Sequence, residues 1–184
     1  MLQNGSFEFA ENDTRERDFS PFSFWEPIEI GGAKVELSPR QGETLFPRNP
    51  GSAYVEIREP GKRAGLQNIG FDTGISLVKG ERYVFSMYMK GDADFPVEVS
   101  LDSEKGELYV SATFQAGEEW KRYDVVFTAP VTDSSARLSI CGSQKGAFSL
   151  DVVSLKPEKT FCGHGLREGL CRKLLELKPR FMRF

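Results

Sequence analysis

The chain has 184 residues, 39% apolar and 28% charged, and 24 Lys and Arg against 27 Asp and Glu leave a net charge of −3. That is the length of one domain with a sizeable core, and the balance excludes wholesale disorder, collagen-like repetition and a disulfide-dense scaffold. A slightly acidic chain lacks the basic field of a phosphate-binding surface, and no run approaches the ~20 apolar residues of a membrane span, so neither nucleic acid nor a membrane is an expected partner. In chain order, the opening Met1-Leu2-Gln3-Asn4-Gly5 has no basic segment followed by an apolar one, which predicts a soluble chain without an export signal. Residues 10 to 49 are irregular and hold Pro21, Pro27, Pro39 and Pro47, a pattern of loops around one or two edge strands.

From Ala53 to Leu155 short runs rich in Val, Ile, Phe, Tyr and Thr are separated by Gly, Pro, Asp and Ser. This predicts an all-β fold, a jelly-roll-like β-sandwich of two antiparallel sheets with roughly eight or more strands. Period two puts Tyr83, Phe85, Met87 and Met89 on one face, taken as the core, and Val84, Ser86, Tyr88 and Lys90 on the other. The same alternation sets Val97, Val99 and Leu101 against Glu98, Ser100 and Asp102, and Tyr123, Val125 and Phe127 against Asp124, Val126 and Thr128, so each strand is expected to bury one side. Turns fall at Lys79-Gly80, Gly91-Asp92, Lys105-Gly106, Gly117-Glu118 and Lys145-Gly146.

After Leu155 the period changes. Leu166, Leu170, Leu174 and Leu177 recur at helical spacing, which predicts an amphipathic helix over 166–177 that Pro179 ends. The tail Arg180 to Phe184 has the pattern of a terminal strand with no room for a partner, so the chain looks cut at the threshold of another domain. The expected division is a sandwich over 1–157 and, over 158–184, a linker, the helix and the start of a further unit. Cys141, Cys162 and Cys171 cannot all pair and have no zinc spacing. They are read as structural thiols, with a Cys162–Cys171 bridge left open. His164, between two glycines and without a nucleophile motif, is read as a linker residue.

Three stretches together resemble carbohydrate-binding modules of the family 4/9 type: Leu2-Gln3-Asn4-Gly5-Ser6-Phe7-Glu8, residues 65–83 from Gly65-Leu66-Gln67-Asn68 to Gly80-Glu81-Arg82-Tyr83, and Leu150-Asp151-Val152-Val153-Ser154-Leu155. The continuation from Gly165-Leu166-Arg167-Glu168 to Leu177-Lys178-Pro179-Arg180-Phe181-Met182-Arg183-Phe184 resembles the opening of the catalytic (β/α)8 barrel of a family 51 glycoside hydrolase, an α-L-arabinofuranosidase. The resemblance implies a non-catalytic module that targets such an enzyme to arabinose-containing plant polysaccharide, arabinoxylan or arabinan. Its alternative is a structural accessory domain packed on the barrel. The parent would be secreted or periplasmic. Family members cleave with two glutamates deep in the barrel, and neither maps onto a residue here, so no catalytic residue is assigned.

A sugar presents apolar ring faces and hydroxyl rims, so its site combines aromatic platforms with polar side chains. The candidates are Trp25, Tyr54, Asn68, Tyr88 and Glu98. Tyr88 shares the non-core face with Ser86 and Lys90, Glu98 is turned the same way on what is taken as the neighbouring strand, and Tyr54 alternates with Ala53 and Val55. Asn68 follows Gln67 before a turn, and Trp25 lies where loops can overhang a sheet. A solvated face with scattered aromatics is the alternative, and for Trp25 so is core packing; Trp120 is assigned to core or rim packing. The resemblance also implies a structural Ca²⁺ between the first strand and the last, held by Glu8 and Asp151, although Val152 stands where relatives often have a second Asp. Two ordinary edge carboxylates are the alternative.

Overall fold

The computed structural model describes residues 2–9, 19–163 and 165–181, with the backbone alone over residues 42–44. His164 and the last three residues of the expected terminal strand lie outside the described residues.

The strands form two antiparallel sheets. The first runs β1 (Trp25–Ile30), β4 (Arg63–Asn68), β10 (Asp133–Gly142), β7 (Phe95–Asp102) and β8 (Leu108–Ala116), with β5 (Ile75–Leu77) paired to the opening residues of β10. The second runs β2 (Lys34–Phe46), β3 (Asn49–Glu59), β11 (Gly146–Pro157), β6 (Arg82–Gly91) and β9 (Lys121–Thr128). β1 and β2 are edge strands, as the proline-rich early segment requires.

The alternation of β6 is realised: Phe85, Met87 and Met89 are fully buried and Tyr83 nearly so. Val97, Val99 and Leu101 of β7 meet them across the sandwich, with Phe95, Phe127, Phe148 and Leu150 in the same core. β7 departs from the expectation of one buried side per strand, because Ser100 and Asp102, on its outer side, are also buried. The outer side of β7 is therefore covered over Ser100 and Asp102 and does not face open solvent there.

Residues 2–9 tie the two sheets together. The Asn68 amide donates to the Gln3 carbonyl at 2.8 Å on the first sheet, and the Val153 N–H donates to the Gly5 carbonyl at 2.8 Å on the second. A side chain at Gly5 would strike the Val153 carbonyl, so this crossing requires a residue without Cβ.

The helix α1 (Glu168–Leu177) begins two residues later than its leucine period, because Arg167 bridges back to Thr160 in extended form. It ends at Lys178, whose left-handed backbone (φ 44) precedes Pro179. Only Cys171 of this helix is buried, and Leu166, Leu170, Leu175 and Leu177 are more than half exposed. Leu174 is half-buried and Leu170 lines the space between α1 and the sandwich, so the leucine stripe is only partly covered. Arg180 and Phe181 are not in a strand, and the three thiols are free, with Cys141 and Cys171 buried and Cys162 exposed.

Candidate functional site

The expected sugar-site residues divide among three places. Tyr54 on β3, Ser149 on β11 and Lys90 on β6 are register partners across the second sheet, and Tyr88 lies two residues before Lys90 on the same outer face. The Arg40 guanidinium sits 4.2 Å from the Tyr54 ring centre, Lys90 Nζ lies 5.4 Å from that of Trp120, and Phe46 meets Tyr88 edge-on at 5.9 Å. Cations over aromatic faces and an aromatic edge on a third hold these rings in fixed orientations. On this face lies a depression of about 350 Å³ lined by Arg40, Ser52, Tyr54, Lys90, Glu118 and Ser149. Trp120 is half-buried and meets the depression only through Lys90, which lines it.

Glu98 belongs elsewhere, which corrects its placement beside Tyr88. β6 and β7 are consecutive in the chain but cross from the second sheet to the first, so the two outer faces they carry point in opposite directions. Glu98 lines a depression of about 200 Å³ with Lys62, Arg63, Thr113 and Cys141. Here Arg63 Nη2 donates to Ser100 Oγ at 2.7 Å and to Asp102 Oδ2 at 2.8 Å. Asp102 Oδ1 and Ser139 Oγ are buried without a hydrogen-bond partner among the described residues. Burial pushes the Cys141 thiol up to about 11 in spite of the Arg63 charge, so it stays protonated and unreactive at neutral pH. Sequence reasoning missed Arg63, Asp102 and Ser139; the legible signal was Ser100 and Asp102 alternating with valines opposite the core.

Trp25 and Asn68 are corrected to structural roles. Trp25 is 4% exposed, packs on Phe7 with ring centres 5.2 Å apart, and donates its indole N–H to the Asn4 carbonyl at 2.9 Å. Asn68 is fully buried and, besides holding Gln3, accepts the Gly70 N–H at 3.0 Å. A ring and an amide committed to the N-terminal crossing have no surface to offer a ligand.

Asp151, on β11, is 1% exposed; its Oδ1 accepts the Val152 N–H at 2.6 Å and its Oδ2 has no partner among the described residues. Desolvation, with a further push from the nearby Glu8 carboxylate, raises its pKa to about 6, partly opposed by the Val152 N–H. Glu8 is exposed and accepts the Gly51 N–H at 3.0 Å. A buried unpaired carboxylate oxygen beside a second carboxylate is donor chemistry that fits a hard cation. No cluster of three or more acidic, His or Cys side chains suited to a metal occurs among the described residues.

The described residues form a two-sheet sandwich whose outer faces carry aromatic rings, paired charges and shallow depressions. The chain belongs to the carbohydrate binding domain family CBM_4_9, whose profile matches residues 1–146, and it is homologous to a region of family 51 α-L-arabinofuranosidases. It is 31% identical over 186 residues to an extracellular exo-alpha-L-arabinofuranosidase of Streptomyces chartreusis, covering all of this chain and 21% of that protein. It is 32% identical over 194 residues to alpha-L-arabinofuranosidase 1 of Arabidopsis thaliana, covering all of this chain and 28% of that one. The chain thus spans about a quarter of the length of these relatives. Among solved structures, the arabinose-bound MgGH51 α-L-arabinofuranosidase superposes over all of this chain and 30% of its own, at a TM-score of 0.81 and 20% identity. A CBM4 structure superposes over 86% of this chain and all of its own, at a TM-score of 0.61 and 20% identity. Both likenesses show the fold.

Proposed function

We propose that this chain is a non-catalytic carbohydrate-binding module that holds an α-L-arabinofuranosidase at arabinose-bearing plant polysaccharide, such as arabinoxylan or arabinan. The observation that carries the reading is the depression on the outer face of the second sheet, where Tyr54 and neighbouring Trp120 are fixed by cations beside Ser52, Glu118 and Ser149. An aromatic platform with hydroxyl and carboxylate partners is what a sugar ring and its rim require, and Tyr88 extends that platform along β6. The relatives' names supply the enzyme, and the share of their length that this chain spans supports a module attached to a larger catalytic body. Each site binds weakly, and the gain comes from the effective concentration of the tethered enzyme.

The test is calorimetric titration of wild type, Tyr54→Ala, Tyr88→Ala and Glu98→Ala with arabinoxylan and arabinan oligosaccharides, after circular dichroism has established folding. Several-fold weaker binding by the two tyrosine variants, with Glu98→Ala unchanged, supports the second-sheet site. Loss confined to Glu98→Ala moves the site to the polar face of the first sheet.

The second reading is an accessory domain that packs on the catalytic body, and a specific observation favours it. Leu166, Leu170, Leu175, Leu177 and Phe181 are 56% to 85% exposed. Beside them a cavity of about 510 Å³ opens between α1 and the sandwich, lined by Val78, Tyr83, Leu155, Arg167 and Leu170. Leu170 and Leu177 share one helical face, and an exposed apolar patch of this kind marks a surface for a partner to cover. Failure of wild type to bind any of a broad polysaccharide panel leaves this second reading.

A structural Ca²⁺ at Asp151 and Glu8 belongs to either reading. The two carboxylates would hold it, and it would supply the positive charge that their proximity lacks.

A further inference from the structure

We infer that the phenylalanine cluster at the β1 and β4 end of the first sheet is a second sugar-stacking site, separate from the depression on the second sheet. This rests on the proposed sugar-binding reading and adds a place to it. Phe9 and Phe19 stack with ring centres 4.7 Å apart, Phe19 meets Phe24 at 5.5 Å, and Phe24 meets Phe71 at 6.3 Å. Phe9 also lies 6.5 Å from Phe24, so rings from three segments of the chain form one cluster that Phe71 extends. Its inner members are half-buried, while Phe71 at its end is 65% exposed.

The exposure of Phe71 is imposed by its surroundings. The loop that carries it, between β4 and β5, is held by one arginine: Arg137 Nη1 donates to the Thr73 carbonyl at 3.1 Å and to the Ser135 carbonyl at 2.9 Å, while its Nη2 pairs with Glu104 at 3.1 Å. On the other side the Ile69 N–H donates to the Phe24 carbonyl at 3.0 Å and joins the loop to the start of β1. Phe24 itself is held at φ 71, a left-handed conformation costly for a bulky side chain and tolerated where surrounding structure fixes it. A large apolar ring is therefore presented to water from a clamped loop and not from a mobile one, so little conformational freedom remains to be lost when something stacks on it.

The size and rim of the feature define its occupant. A stable protein interface needs ~800 Å² on each side, far more than a single protruding ring. One ring bordered by the exposed polar residues Asp72 and Thr73 matches one sugar residue, with its apolar face on Phe71 and its hydroxyls over the rim. The ligand is a pentose or hexose unit of the same polysaccharide that the second sheet takes, so the module engages the polymer at two places, and avidity follows.

The test is titration of wild type, Phe71→Ala, Phe71→Leu and Phe71→Trp with arabinoxylan and arabinan, beside the Tyr54 and Tyr88 variants, each first shown by circular dichroism to be folded. The expected result is binding about three- to ten-fold weaker for the Ala and Leu variants and at least wild-type affinity for Trp, because stacking needs a π face and general apolar contact does not. Wild-type affinity in Phe71→Ala or Phe71→Leu, or weakened binding in Phe71→Trp, overturns the site. If the tyrosine variants lose binding while the Phe71 variants keep it, this inference alone falls; if wild type binds no sugar, the functional reading falls with it.

Discussion

At the scale of single residues, buried polar groups on the outer faces set the behaviour of the fold. Asp151 has a pKa of about 6 in the folded chain and, with ~3.9 when unfolded, the folded state binds its proton more tightly. Stability from this group is therefore greatest below about pH 4 and is lost as pH rises through 6. Asp151→Asn should raise the melting temperature in chelator at pH 7.5 and leave it nearly unchanged at pH 4, measured by thermal circular dichroism. Ca²⁺ in excess should raise the melting temperature of wild type at pH 7.5 and not that of Asp151→Asn, since an ion that prefers the native state stabilises by mass action. A wild-type melting curve identical in chelator and in Ca²⁺ would leave Glu8 and Asp151 as ordinary acids. Arg63 works in the opposite sense. Its partner Asp102 has a side chain only 2% exposed, so Arg63→Ala strands a buried carboxylate and should cost about 3 kcal/mol in a urea titration, well above the effect of Arg58→Ala in an exposed pair.

The strands are where the sequence was most legible. Period two named the buried side of β6 and the inner side of β7 correctly, because a fully enclosed sandwich core admits only one register for such alternation. Phe85→Ala should cost ~3 to 5 kcal/mol and Val99→Ala less, read from unfolding midpoints, as both side chains are fully buried. What alternation could not supply was the sheet to which each strand belongs. β6 and β7 are sequence neighbours in different sheets, so Tyr88 and Glu98, both correctly turned outward, face opposite ways. Nor could composition distinguish Trp25 as platform from Trp25 as core. Its burial depends on Phe7 and on the Asn4 carbonyl, both supplied by the crossing of residues 2–9. The same long-range crossing buries Asn68. Contacts that join distant segments through irregular backbone leave no periodic trace, and the missed Arg63–Asp102 pair, 39 residues apart, is of the same kind.

At the scale of the whole molecule, the sandwich and α1 make different demands. The sandwich encloses its own core, whereas α1 buries only Cys171 and leaves Leu170, Leu175 and Leu177 exposed. The family profile ends at residue 146, but likeness to the arabinofuranosidases runs across all of this chain, so α1 belongs to the part shared with those longer proteins. This separates the two functional readings by experiment. Leu170→Ser and Leu177→Ser in this chain should shift stability by no more than ~0.5 kcal/mol, since exposed positions without special contacts change little. In a full-length arabinofuranosidase carrying this segment, the same changes should lower the melting temperature if the leucine face seats the catalytic body. Deleting residues equivalent to the sandwich should then leave kcat on a small aryl arabinofuranoside within about two-fold and reduce the rate on arabinoxylan, because a binding module raises the local concentration of polymer without touching the reacting bond. A fall in kcat on the small substrate would instead assign the sandwich to holding the catalytic body in shape, and release of arabinose by this chain alone, abolished by changing one of its own acids, would overturn the non-catalytic reading altogether.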